Sequence, residues 1–387
     1  MVALASPSSG ATPEPTRPAA ATPTAPPSPT GSPTNPLSGR FTAAGSLPTA
    51  RQSFAAVLLH DGRVFMVGGG GSNSGGNMKA DIYDPSTRTF SQTRTMSAGR
   101  YIERATLLDD GDVLIDGDSS PTAPSRAILF RPQTNKYSYT GAMRRPRKDA
   151  TATLLADGRV LVAGGATCSN NNDDRTCVGL ASAEIYNPKT RSFAATGSMA
   201  TGRFYQTATL LKDGRVLIAG GAATGRSAAA LSSAELYNPR TGKFSPAGSM
   251  AYPRLAHTAT LLSNGMVLVA GGQASEVNPA SGLSSAELFD PGVDTFSAAG
   301  PMVLIRQAHT ATLLPDGRVL LVGGGDTGTT TQQAELYDPP TNTFALTGSL
   351  PSTLMMQTAT LLKDGRVFIA GGYRGGQTQK SCELYTP

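Results

Sequence analysis

From residue 40 onward, short apolar runs alternate with polar, glycine-bearing turns, and the pattern returns roughly every fifty residues. The fourth copy is representative. It reads TATLL, then Lys-Asp-Gly, then RVLIAGG, a longer polar stretch, SAELYNPRTGKF, and SPAGSM ending at Met250. TATLL is a short β-rich run. Asp213-Gly214 after it predicts a two-residue hairpin turn, because both residue types tolerate positive φ. RVLIAGG predicts a second strand, ended by two glycines that allow close backbone approach between neighbouring units. ELYNP predicts a third strand, and Pro-x-Thr turns the chain into a fourth. Val216–Ala219 is apolar throughout, as suits a strand covered on both faces.

The turn glycines count the copies: Gly62, Gly111, Gly158, Gly214, Gly265, Gly317 and Gly365, spaced by 49, 47, 56, 51, 52 and 48 residues. Seven copies of a four-stranded unit predict an all-β, seven-bladed β-propeller over residues 40–387. The seventh copy stops at Glu383-Leu384-Tyr385-Thr386-Pro387 without a fourth strand. The segment 40–47, RFTAAGSL, matches the missing piece, as in FAATGSM ending at Met199. The N-terminal strand is therefore expected to close the last blade, which removes the open edges of the ring.

The double glycine, the Tyr-Asp/Asn-Pro-x-Thr-x-x-Phe stretch and the arginine opening each copy together resemble the bacterial kelch-repeat family, whose fold is that of the central domain of galactose-oxidase-type enzymes. Where most kelch proteins carry a last Trp, this chain has Phe41, Phe90, Phe193, Phe244, Phe296 and Phe344, with Tyr137 in the second copy. The resemblance implies the fold. It leaves function open, because propellers host many activities.

Composition adds limits. The chain has 387 residues with 44 Gly, 28 Pro, 16% charged residues and no Trp. Its formal charge of +6 is spread along the sequence rather than gathered in a basic stripe, so no nucleic-acid partner is expected. No run approaches the ~18 apolar residues of a membrane helix, and no transmembrane segment is expected. Residues 1–39 are almost wholly Pro, Thr, Ala, Ser and Gly. Such a composition cannot offset the entropy of ordering, and it predicts a disordered tail or linker. The opening Met-Val-Ala-Leu-Ala is too short for a secretory signal and lacks a basic start.

Strand order places the Asp-Gly and Pro-x-Thr turns on one rim. The loops after the double glycines, and those joining one copy to the next, lie on the other rim and vary in length. Binding residues gather on variable loops held by a rigid scaffold, so a protein or glycan ligand is expected on this loop rim. Arg51, Arg100, Arg147, Arg203, Arg254 and Arg306 recur there, ten residues before each turn Asp or Asn, with Leu354 in the seventh copy. Together with Arg145 they are candidate ligand-binding residues, a cationic ring suited to an acidic glycan or an acidic peptide loop. The other reading pairs these arginines with Asp81, Glu184, Glu235, Glu287, Glu335 and Glu383, and it is preferred because repeated buried charges usually satisfy one another. Copies two and seven break that pattern, leaving Arg100 facing Ile128 and Glu383 facing Leu354. Copy two also has Asp116-Gly117-Asp118 in place of Gly-Gly, and reads as a decayed blade.

Arg306-Gln307-Ala308-His309-Thr310 resembles the segment that carries a Tyr-His pair of copper ligands in galactose-oxidase-type enzymes. His309 stands at the ligand-His position, but Ala308 stands where the Tyr belongs. His257 behind Ala256 repeats the pattern one copy earlier, and Tyr205 is followed by Gln206. Cu(II) in such a site takes two imidazoles and oxygen ligands, so His257 and His309 are metal candidates while no cofactor is expected. Cys168 and Cys177 flank an insertion in copy three and predict a disulfide, which implies an oxidising compartment. Its Asn and Asp residues match no calcium-loop spacing. Cys382 lies in a strand and reads as buried. The expectation is a monomeric, secreted or cell-surface, non-catalytic recognition module with no catalytic residues. The alternatives are a copper oxidase of the galactose-oxidase type and a structural spacer.

Overall fold

The computed structural model describes residues 39–70, 79–96, 104–116, 126–169, 176–225, 230–275, 282–326 and 329–387. The tail expected over 1–39 falls outside them except for Gly39, and the compact unit runs from Pro36 to Pro387. No described helix is long and apolar enough to cross a membrane.

Seven four-stranded antiparallel sheets make the propeller. In blade four the strands Thr207–Leu210, Val216–Ala219, Ala234–Asn238 and Lys243–Pro246 follow one another in sequence order. The hairpin between the first two is the expected Asp-Gly turn: Gly214 has φ +87°, and its N–H donates to the Leu211 carbonyl at 3.0 Å. All four residues of Val216–Ala219 are fully buried, because neighbouring blades cover both faces of the strand. The aromatics of the third and fourth strands pair within each blade, as Tyr237 and Phe244 do with ring centroids 4.8 Å apart. The inner strands of successive blades touch in an unbroken circle, including the contact between blades seven and one.

Ring closure follows the sequence pattern. Arg40–Ser46 is the fourth strand of blade seven, antiparallel to Ser381–Thr386, with Arg40 opposite Thr386 and Ser46 opposite Ser381. The double glycines end the second strands against the next blade. A Cβ on Gly220 would collide with the Arg254 carbonyl and the His257 ring of blade five. Blade two is complete in spite of its divergent sequence. Asp116 receives Arg104 at 3.4 Å, and Arg131 reaches Asp112 at 3.1 Å. Its unusual charges therefore satisfy one another inside a full sheet of Arg104–Leu107, Val113–Asp116, Arg126–Arg131 and Lys136–Ala142.

Candidate functional site at the loop rim

Each inner strand is entered through the same four-residue step that begins at the recurring arginine. Five of these arginines are buried and bind within their own blade. Arg51 meets Asp81 at 2.8 Å, Arg147 meets Glu184 at 3.0 Å, Arg203 meets Glu235 at 2.9 Å, and Arg254 and Arg306 meet Glu287 and Glu335 at 2.8 Å. Each also donates to the carbonyl of the first glycine of its double-glycine pair: Gly68, Gly164, Gly220, Gly271 or Gly323. A guanidinium thus ties the blade entrance to the ends of the second and third strands. Burial pulls the Arg147, Arg203, Arg254 and Arg306 guanidinium groups below their ordinary pKa.

This corrects the arginine ring as a ligand site. Arg51, Arg147, Arg203, Arg254 and Arg306 are turned into the protein and spent on carboxylates and carbonyls, so they present no charge to a ligand. Arg100 lies outside the described residues. Arg145 is exposed on the rim beside Arg144, whose backbone N–H donates to Glu184.

Blade seven lacks the staple. Leu354 is buried where the arginine would be, and the carboxylate of Glu383, a residue only 8% exposed, has no hydrogen-bond or ion-pair partner among the described residues. Pro351 also occupies the position whose N–H, in blades four to six, donates to the equivalent carboxylate from Ala200, Ala251 and Val303. Burial alone pushes the Glu383 carboxyl above its ordinary value.

Two residues after the arginine, the backbone is left-handed in every described blade entrance. Ser53, Asp149, Tyr205, Ala256, Ala308 and Met356 have φ between 49° and 56°. Four of them are linked head to tail around the axis: Ser53 N–H donates to the Met356 carbonyl at 3.1 Å, Met356 N–H to Ala308 at 3.1 Å, and Ala308 N–H to Ala256 at 3.2 Å. This belt forms the mouth of the central channel on the loop rim. Non-glycine residues held in this region cost roughly 1–3 kcal/mol each and persist only where the surroundings impose them. The sequence carried little signal for the belt, because only Asp149 of the six is of a residue type enriched at positive φ.

The next residue in each step points into the seam with the preceding blade. Gln206 Nε2 donates to the Ala163 carbonyl at 3.0 Å, and Gln357 Nε2 donates to Val322 at 2.7 Å. His257 and His309 hold the same position, their Nε2 atoms 3.0 Å from Thr207 Oγ1 and Thr258 Oγ1. Burial first, then the Arg254 and His309 charges, lower the His257 pKa to about 3, and burial together with Arg306 does the same to His309.

As a copper site this arrangement is incomplete. Each imidazole already spends Nε2 on the neighbouring blade. Ala256 and Ala308 offer no oxygen beside them, and no group of three or more His, Cys, Asp or Glu that could hold a metal occurs among the described residues. The described residues do not fit a copper centre at His257 and His309. Elsewhere on the rim, Cys168 and Cys177 are disulfide-bonded across a small hairpin of Ala166–Cys168 and Cys177–Gly179, and Cys382 is buried and free. On the opposite rim, Arg215 and Arg318 clamp their own turn carboxylates, Asp213 and Asp316.

No family model matches the chain. Over 83 residues it is 34% identical to the galactose oxidase of Gibberella zeae, a stretch that takes in 21% of this chain and only 12% of that enzyme. Among solved structures it is similar to a fungal alcohol oxidase of the AA5 family in complex with copper. The TM-score is 0.73 at 18% identity, covering 90% of this chain and 76% of the other. The likeness establishes a propeller of the galactose-oxidase type. It also corrects the expectation of a chain without enzymatic activity, since the relative and the solved structure just described are both oxidases.

Proposed function

We propose that this chain belongs to an oxidase-type enzyme that acts on an alcohol group of a saccharide, with its working face at the channel mouth on the loop rim. The stretch similar to galactose oxidase, superimposed on a propeller match that spans most of the chain, carries the reading. The belt of strained backbone at the mouth supports it, because left-handed non-glycine residues gather at catalytic and ligand-clamping positions. The glycan partner expected on the loop rim becomes the substrate of that enzyme.

A copper ion like the one in the similar alcohol oxidase would, if bound, serve as an electron acceptor. His257 and His309 do not fit a site for it. The chain's own contribution is a rigid ring whose inner strands hold the mouth in one geometry. The Cys168–Cys177 disulfide supports a location in an oxidising, extracytoplasmic setting.

The test is hydrogen peroxide release by the purified chain, with and without supplied Cu(II), on D-galactose and on simple primary alcohols. Substrate-dependent peroxide with matching oxygen uptake is expected. Its absence with copper supplied, from protein that binds saccharide at the rim, overturns the oxidase reading.

A further inference from the structure

The loop rim carries a second feature, a cleft between blades six and seven that encloses about 770 Å³. Three segments bound it: 303–305 entering blade six, 330–333 leading to its third strand, and residues 349 and 353 on the passage to blade seven. The volume lies within the ~300–1,000 Å³ range of small-ligand sites.

The lining has a definite chemistry. Val303 and Ile305 are 51% and 42% exposed, a high value for large aliphatic side chains, and they form an apolar wall. The amides of Gln332 and Gln333 and the hydroxyls of Thr330, Ser349 and Thr353 surround them. None of these side chains makes a hydrogen bond among the described residues. Asp326 is the one charged residue of the lining, while Arg306 behind the wall is buried against Glu335. Among the described lining residues there is no lysine or arginine to pair with the carboxylates of uronates or with phosphates. Neutral amides and hydroxyls both donate and accept, as sugar hydroxyls do, and the aliphatic wall suits the C–H face of a pyranose ring.

The cleft also adjoins the mouth. Ile305 lies three residues before Ala308 of the belt, and three residues of chain span at most ~11 Å. We propose that this cleft is a subsite for an uncharged sugar unit of an extended glycan whose reacting end lies at the channel mouth. The choice of a glycan rests on the oxidase reading above; the preference for an uncharged unit rests on the lining alone.

The experiment is calorimetric titration of the full chain with β-1,4-galactotetraose, D-galactose and tetragalacturonate. It is repeated on the Gln332→Ala/Gln333→Ala double variant and on Ile305→Ala. All three positions are exposed, and an unchanged melting temperature confirms that the variants fold. Galactotetraose is expected to bind more tightly than galactose and to lose at least fivefold in affinity in both variants. Galactose binding is expected to stay unchanged, and tetragalacturonate to bind negligibly. Equal tetraose affinity in wild type and both variants overturns the subsite, as does tighter binding of tetragalacturonate or no saccharide binding at all. Peroxide release separates the two proposals. Peroxide from galactose with unaffected tetraose binding leaves the oxidase and removes the subsite; variant-sensitive tetraose binding without peroxide does the reverse.

Discussion

Arg254→Leu tests whether the recurring arginines are internal staples. The guanidinium is fully buried, 2.8 Å from Glu287, and it also donates to the Gly271 carbonyl at 2.8 Å and to the Ser285 carbonyl and hydroxyl at 3.1 Å. Leucine fills part of the space and donates nothing. Glu287 is left buried and charged, held by the Ala251 N–H at 2.8 Å and the Tyr252 N–H at 3.3 Å. Removing one partner of a buried pair costs about 3–5 kcal/mol. The two surviving N–H donors place this case at the lower end, near 3 kcal/mol, a large fraction of the ~5–15 kcal/mol that holds a protein folded. Equilibrium urea unfolding followed by tyrosine fluorescence measures the loss, the chain having no Trp. The double variant Arg254→Leu/Glu287→Leu removes the stranded charge, so it is expected to cost less than the sum of the two single variants. A loss below ~1 kcal/mol for Arg254→Leu, or strict additivity in the cycle, would refute the staple. In that event the arginines return as candidates for ligand contact.

Three further outcomes are expected. A chain beginning at residue 49 lacks Arg40–Ser46 and bares the edge of Ser381–Thr386, so it should melt far lower and aggregate, whereas one beginning at residue 39 should match the full chain; equal melting temperatures for the two count against closure by the N-terminal strand. Glu383 has its pKa raised above 4.5, so its contribution to stability is whole below that pH and is lost as pH rises through the folded value. Glu383→Gln should therefore raise the melting temperature at neutral pH and leave it unchanged near pH 4, and a destabilised variant at neutral pH would show that the carboxylate has a partner. His257→Gln should keep a near-native melting temperature, since Gln206 and Gln357 make the same cross-blade reach, and the imidazole proton resonances of His257 and His309 should not titrate between about pH 5 and 8. A ring that titrates near its ordinary 6.5 means that the seam is open to water.

The architecture was readable in the sequence because it repeats. Seven turn glycines, a two-face apolar second strand and a spare opening strand each report local chemistry, and local chemistry is what residue patterns record. The pairing of Arg51, Arg147, Arg203, Arg254 and Arg306 with their acids was legible for the same reason: each copy carries its arginine ten residues before the turn Asp or Asn and an acid near the start of its third strand. What those arginines do for a ligand was not legible. Whether a guanidinium faces water or carbonyl oxygens depends on the neighbouring strands, and only the folded ring shows them buried. The belt of Ser53, Asp149, Tyr205, Ala256, Ala308 and Met356 left almost no trace in residue type, Asp149 apart, because the left-handed backbone is imposed by closure around the axis rather than by intrinsic preference. The two histidines looked like metal candidates in one dimension. In three dimensions each reaches across a blade seam to a threonine, a role that glutamine fills one blade away. The sequence by itself thus determined the repeat, the blade count and the closing strand. The tertiary structure decided which polar side chains are consumed in holding the ring together and which, like those of the cleft between blades six and seven, remain to meet a ligand. The reason is that burial and partnership are properties of the assembled blades and not of any one repeat.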